Sequence, residues 1–111
     1  MNIKEYQKYV VDNANPKYDK MLAVIGLMGE VGEVSDVIKK EQIYDDMSLF
    51  EKKYAMTVQE KIKDELGDVF WQYMLLVSKY NLTLDEIIEY NVQKLNNRHK
   101  GFKTNPNGGN R

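Results

Sequence analysis

The sequence predicts an all-α fold, a bundle of four to five helices that assembles into oligomers, and three observations lead there. Apolar residues recur at three- and four-residue spacing and never alternate for long, which is the period of packed helices and not of strands. The two prolines, Pro16 and Pro106, sit in Asn-rich stretches near the ends ("NANPK" and "TNPNGGNR"), so the interior lacks the strongest helix breaker. Ser/Thr-x-x-Glu start signals occur at Ser48–Glu51, Thr57–Glu60 and Thr83–Glu86, where hydroxyl and carboxylate reciprocally satisfy free backbone N–H groups.

The elements follow in order. A first helix is expected over 2–14, ending before Pro16. A second over 18–42 carries Val24, Leu27, Val31, Val34 and Ile38 as its apolar stripe. The segment "EQIYDDMSLFEKKYAM" mixes charge and aromatics; it holds a short turn of helix near 48–55, and whether the rest is loop or helix extension stays open. A long third helix runs to about Tyr80 with Ile62, Leu66, Val69, Phe70, Tyr73 and Val77 as its stripe, and a fourth runs from Thr83 to about Lys100. One domain is expected over 1–103, with a flexible tail over 104–111. No fixed-period repeat is visible.

Composition removes several classes of function. The 111 residues carry a net charge of −1 with 30% charged residues of both signs interspersed, unlike the concentrated basic surface that a nucleic-acid polymer needs. There is no cysteine, hence no disulfide, thiolate metal site or thiol nucleophile. No apolar run approaches the roughly 20 residues that span a bilayer, and "MNIKEYQKYV" lacks a signal-peptide layout, so a cytoplasmic protein without a membrane partner is expected. The single histidine, His99, argues against a di-iron bundle, which needs a Glu-x-x-His on each of two helices.

What remains is a set of carboxylates. Glu30 and Glu33 in "GLMGEVGE", and Glu65 and Asp68 in "KDELGDVFW", form two i, i+3 acid pairs with Gly32 or Gly67 inside them and Gly29 just before the first. At about 100° per residue, Glu30 is expected about 60° from the centre of its helix's stripe, and each pair flanks a core face. Packing the two helices along their stripes would bring four carboxylates together, a repulsive arrangement unless a cation is present. All-oxygen ligands suit a hard divalent ion, and Mg²⁺, which keeps positions open for water and phosphate, implies a phosphorylated ligand. A solvated acidic helix face is the plain alternative for either pair alone, and tight packing alone would also explain the glycines.

The run "GLMGEVGEVSDVIKK", then "DELGDVFW", then "LTLDEIIEYNVQKLNNRHKGF", preceded by "EYQKYV", resembles the MazG-like, all-α nucleoside triphosphate pyrophosphohydrolases over most of the chain, from about Glu5 to Phe102. The resemblance implies a MazG-like helical bundle with Glu30, Glu33, Glu65 and Asp68 as Mg²⁺ ligands, Mn²⁺ being a possible substitute. It also implies that water attacks the α-phosphorus of a nucleoside triphosphate to give the monophosphate and pyrophosphate. Glu30 or Glu33 would take the water's proton, with the choice open. Where family members often carry tyrosine four residues after the motif Asp, this chain has Gln72, which implies a different base contact.

Further candidates surround the acids. Asn91 falls at the centre of the last helix's stripe of Leu84, Ile87, Ile88 and Leu95, and Asn91, Lys94 and Arg98 match the family's last helix, where they would contact the substrate. A buried asparagine fixing helix register is the plain alternative. Lys39 is placed to neutralise triphosphate charge, although a lysine near a helix C-terminus also favours the dipole. Trp71 and Gln72 are candidates for base contact, while the same spacing suits a core or subunit-interface aromatic. Tyr44, Phe50 and Tyr54 have no obvious burial site, which points to a homo-oligomer, a dimer or tetramer. Two rival readings stay open: a non-catalytic helical adaptor, and a hydrolase of another phosphoanhydride.

Overall fold

The computed structural model describes residues 1–104, the backbone alone being described for 99–104. Five helices make up the described chain: α1 (Ile3–Asn13), α2 (Lys20–Ile43), α3 (Met47–Tyr54), α4 (Val58–Lys79) and α5 (Leu84–Thr104). No strand occurs among the described residues. The last helix thus runs a turn past its expected end at Lys100, and Thr104, assigned to the tail, belongs to it. The rest of the expected flexible tail, 105–111, lies outside the described residues.

Each helix start has an identifiable chemical cause. Asn2 and Glu5 form a reciprocal capping box on α1, and the Asp19 side chain accepts from the Leu22 N–H to open α2. Thr57 accepts from Glu60 N–H at the start of α4, and Thr83 and Glu86 close a capping box on α5. At α3 the cap is Asp46 and not Ser48: the Asp46 carboxylate accepts from the Ser48 N–H, so the helix begins at Met47. An acidic cap satisfies the same free N–H groups and places charge at the positive end of the helix dipole. The α4–α5 turn uses Asn81 at φ 56°, the left-handed residue that ends a helix, and the Leu82 N–H donates back to the Val77 carbonyl.

The main packing is α2 along α4, with α1 laid across α4 and α3 tucked beside both. Val10, Ala23, Met74 and Leu75 are buried at the α1–α2–α4 junction, covered by Tyr6, Tyr18, Phe70, Trp71 and Leu84. Tyr6 stacks on Phe70 at 5.4 Å and Tyr9 meets Trp71 edge-on at 5.8 Å. Gln7 ties α1 to the far end of α4 by donating to Ser78 Oγ and to the Leu82 carbonyl. Phe50 anchors α3, fully buried between Tyr44 and Tyr54.

The face that α2 turns inward differs from the expected stripe. Ala23 and Val37 are buried and Leu27, Glu30 and Val34 half-buried, whereas Val24, Val31 and Ile38 are exposed. On α4 Glu65 is buried while Leu66 is exposed. Glu30 and Glu65 are therefore in the helix–helix seam and not on its shoulder. Because α2 is apolar on two sides, its pattern alone does not say which side meets α4.

Beyond Leu84, α5 shows no extended packing on another helix among the described residues, and every side chain from Ile88 to Asn97 is exposed. The radius of gyration is accordingly 18.4 Å, against about 13 Å for a compact chain of this size. The glycines sort cleanly. A methyl at Gly26 would lie 2.5 Å from Gln72 Oε1, so Gly26 is where α2 and α4 come close, while Gly29, Gly32 and Gly67 face open space. Within one chain, then, those three are not explained by helix approach. Gly29→Ala and Gly67→Ala should each raise the stability of an isolated chain by about 1 kcal/mol, the ordinary helix preference, measured as a higher urea midpoint; Gly26→Ala should bring no such gain. A fall at Gly29 or Gly67 would mean that a second molecule closes on that face.

Candidate metal centre

The α2–α4 seam brings Glu30, Glu65 and Asp68 together, with one carboxylate oxygen from each lying within 4.8 Å of the others. Glu30 comes from the middle of α2, and Glu65 and Asp68 project from adjacent turns of α4. Glu65 is 8% exposed, Glu30 half-buried and Asp68 open to solvent, so the group runs from a buried carboxylate to an accessible one. Glu33, one turn along α2, is exposed and gives no oxygen to the convergent group.

The electrostatics are those of acids held together against their preference. Burial, then the charges of Asp68, Glu65 and Glu33, push the Glu30 carboxyl above the usual carboxylate range. Asp68 is pushed up by burial and by Asp64 and Glu65, with Lys61 acting in the opposite sense. Lys61 offsets part of this charge, its ammonium 2.9 Å from Glu65 Oε1 and 3.6 Å from Asp64. The donor set fits a hard divalent cation: three oxygens from two helices, one open side, and a repulsion that positive charge relieves.

Two neighbours of this group were not singled out in the sequence. Tyr6 of α1 lies close enough to Asp68 that the carboxylate, after burial itself, raises its phenol pKa. Lys61 is the other, and its position one turn before Glu65 was the available signal. Of the remaining candidates, Gln72 sits in the seam against Gly26, one turn beyond Asp68, and its Oε1 is buried with no hydrogen-bond partner. Trp71 is half-buried and packed on α1. Lys39 is exposed, while Lys40 turns toward α3. Asn91 and Lys94 line a separate groove of about 410 Å³ with Leu82, Glu86, Ile87 and Tyr90. With Arg98 they ride on the part of α5 beyond Leu84, where the side chains from Ile88 to Asn97 are exposed, so among the described residues the fold of one chain does not bring them to the acids.

A helical seam carrying this acid set, in this chain order, defines a class of protein, and comparison with known families agrees: residues 19–102 match the MazG nucleotide pyrophosphohydrolase domain. The chain belongs to that family. It is also 31% identical over 77 residues to the Gene 37 protein of Mycobacterium phage L5, a match covering 67% of this chain and 60% of the phage protein. No solved structure matches it. No described helix is long and apolar enough to cross a membrane.

Because Glu30 and Asp68 have raised pKa values when folded, the folded chain holds their protons more tightly than the unfolded one does. Their contribution to stability is full below the ordinary carboxylate range and is lost as the pH rises through the raised values. Without metal, their effect should therefore favour the fold in mild acid over pH 7, and Mg²⁺ should raise the melting temperature at pH 7 but little at pH 4.5. Asp68→Asn should raise the metal-free melting temperature by on the order of 1–3 °C and reduce the Mg²⁺ response. Thermal melts with and without Mg²⁺ at the two pH values check both.

Proposed function

We propose that the chain is a Mg²⁺-dependent nucleotide pyrophosphohydrolase that cleaves a nucleoside triphosphate between its α and β phosphates. The observation that carries this reading is the convergence of Glu30, Glu65 and Asp68 in a member of the MazG family. Those three carboxylates would hold the ion, with Glu33 beside them. Once bound, Mg²⁺ (or Mn²⁺) supplies charge neutralisation and polarisation at the phosphate oxygens.

The chain's own residues do the rest. Glu33, outside the convergent group and open to solvent, accepts the proton of the attacking water; Glu30 is the other candidate for that role. The water oxygen bonds to the α-phosphorus, the α–β bridging bond breaks, and the monophosphate and pyrophosphate separate. Gln72, one turn past Asp68, contacts the sugar or base, with Trp71 as a further candidate for the base and Lys39 for the phosphates.

The assembly is part of the proposal. Met21 and Met28 are each 70% exposed, and with Ile25, Val24, Val31 and Ile38 they leave an apolar side of α2 in water, while the α5 side chains from Ile88 to Asn97 are exposed as well. A chain that leaves both a bare helix and a bare apolar face is complementary to a second copy of itself. A dimer or a dimer of dimers would cover both and carry Asn91, Lys94 and Arg98 of one chain to the nucleotide of another.

Incubation with each nucleoside triphosphate and Mg²⁺ should release monophosphate and pyrophosphate in equal amounts; release of orthophosphate instead would reject the mechanism. Glu33→Gln and Asp68→Asn should each lower kcat at least 100-fold, in keeping with loss of a general base or of a metal-held charge. Sedimentation should give a dimer or tetramer at micromolar concentration, and Met28→Glu should dissociate it and lower turnover with it.

A further inference from the structure

Next to the acids, on the α3 side of the seam, one tyrosine gathers three lysines. The ammonium groups of Lys61, Lys40 and Lys53 lie 5.2, 5.6 and 5.6 Å from the Tyr54 ring centroid. They come from three different helices: Lys40 from α2, Lys53 from α3 and Lys61 from α4. The Lys40 and Lys61 side chains are half-buried, at 25% and 20% exposed, and Lys53 is exposed. The Tyr54 hydroxyl is itself buried and has no hydrogen-bond partner among the described residues.

Structural roles account for part of this. A lysine near the C-terminus of α3 suits the helix dipole, and one cation over a ring is a favourable contact. Three cations on one ring repel one another, however, and a buried hydroxyl left without a partner costs about 1–3 kcal/mol. Neighbouring acids answer the charge only partly. Lys40 is paired to Asp36 at 2.6 Å, Lys61 is shared by Glu65 and Asp64, and Lys53 makes no ion pair among the described residues. Glu65 is also one of the convergent carboxylates, so a cation held there takes Lys61's nearest partner and leaves the ammonium free to bind an anion.

We propose that Lys40, Lys53, Lys61 and the Tyr54 hydroxyl form a diphosphate-binding subsite, which holds the β,γ end of the substrate and the pyrophosphate it becomes. It rests on the triphosphate reading above and gives the cleft a direction. The diphosphate points toward α3, and the nucleoside points past Asp68 toward Gln72 and the aromatic residues of α1 and α4. Lys61 is the hinge between the two halves, bonded to a carboxylate of one and packed on the ring of the other. Helix α3, short and outside the main α2–α4 packing, then has a role: it brings Lys53 and Tyr54 to the end of the cleft.

The test is calorimetric titration of the full chain with inorganic pyrophosphate in Mg²⁺, alongside a nucleoside monophosphate. Lys53→Ala should weaken pyrophosphate binding about 10- to 100-fold, as expected for loss of one charged hydrogen bond, and leave monophosphate binding unchanged. Tyr54→Phe should weaken it about 3- to 10-fold while the melting temperature stays the same or rises, because the substitution removes an unpartnered hydroxyl. In turnover, a higher KM shows that the subsite holds the substrate's tail, and a higher pyrophosphate inhibition constant at constant KM shows that it holds the product; either supports the subsite. Equal pyrophosphate affinity in both variants and the unaltered chain overturns it, whatever the hydrolysis assay gives. Lys53-dependent pyrophosphate binding without any triphosphate cleavage would keep the subsite and reject the enzyme reading.

Discussion

Everything at the centre of this molecule depends on the contact of α2 with α4, because it forces Glu30 of one helix against Glu65 and Asp68 of the other. Like charges within 4.8 Å in a partly buried seam are unfavourable, and the raised pKa values of Glu30 and Asp68 express that cost. The packing around them bears it: Ala23 and Val37 bury the inward face of α2, and Met74, Leu75 and Val77 that of α4. Gly26 lets the two helices close against Gln72. A seam built only for stability would place apolar residues at positions 30 and 65. The acids are there at the expense of the fold's stability, as is usual where a protein keeps a binding site.

The surroundings of the acids differ from one end of the seam to the other. Toward the N-terminus of α2, α1 adds Tyr6 and Tyr9 to Phe70, Trp71 and Tyr73 of α4, an aromatic layer with Gln72 set in it. Toward its C-terminus, α3 adds Phe50 and Tyr54, with three lysines gathered on the second ring. The two short helices thus flank the acids at opposite ends of the seam. The nucleoside triphosphate proposed above as substrate has the same polarity, flat and weakly polar at one end and densely anionic at the other.

The last helix obeys a different constraint. Its start is well made, with a capping box at Thr83 and a left-handed Asn81 before it, yet little of its surface is buried by the rest of the chain. Helices in water owe most of their stability to packing of an apolar face, so Ile88, Val92 and Leu95 of α5 call for a surface that one chain lacks. The outer side of α2 is the matching deficit.

The sequence by itself determined the helical class, the order of the helices and nearly all their ends, because caps and spacing are local: a Thr with a Glu three residues on, or a Pro after a run, acts through neighbouring backbone groups. It also carried two i, i+3 acid pairs whose order and context resemble one family, to which the chain belongs. Only the tertiary structure decided which side of α2 faces α4, and so put Glu30 in the seam and left Val24, Val31 and Ile38 outside. It likewise decided that Glu33 stays out of the convergent group, that Tyr6 and Lys61 join its surroundings, and that Asn91, Lys94 and Arg98 ride on α5 beyond Leu84, the last of its residues packed on the core among those described. The reason is that an α-helix apolar on two sides has two acceptable ways to pack. The choice between them is made by the summed contacts of Ala23, Val37, Phe50 and Met74 across distant segments, which no local pattern encodes.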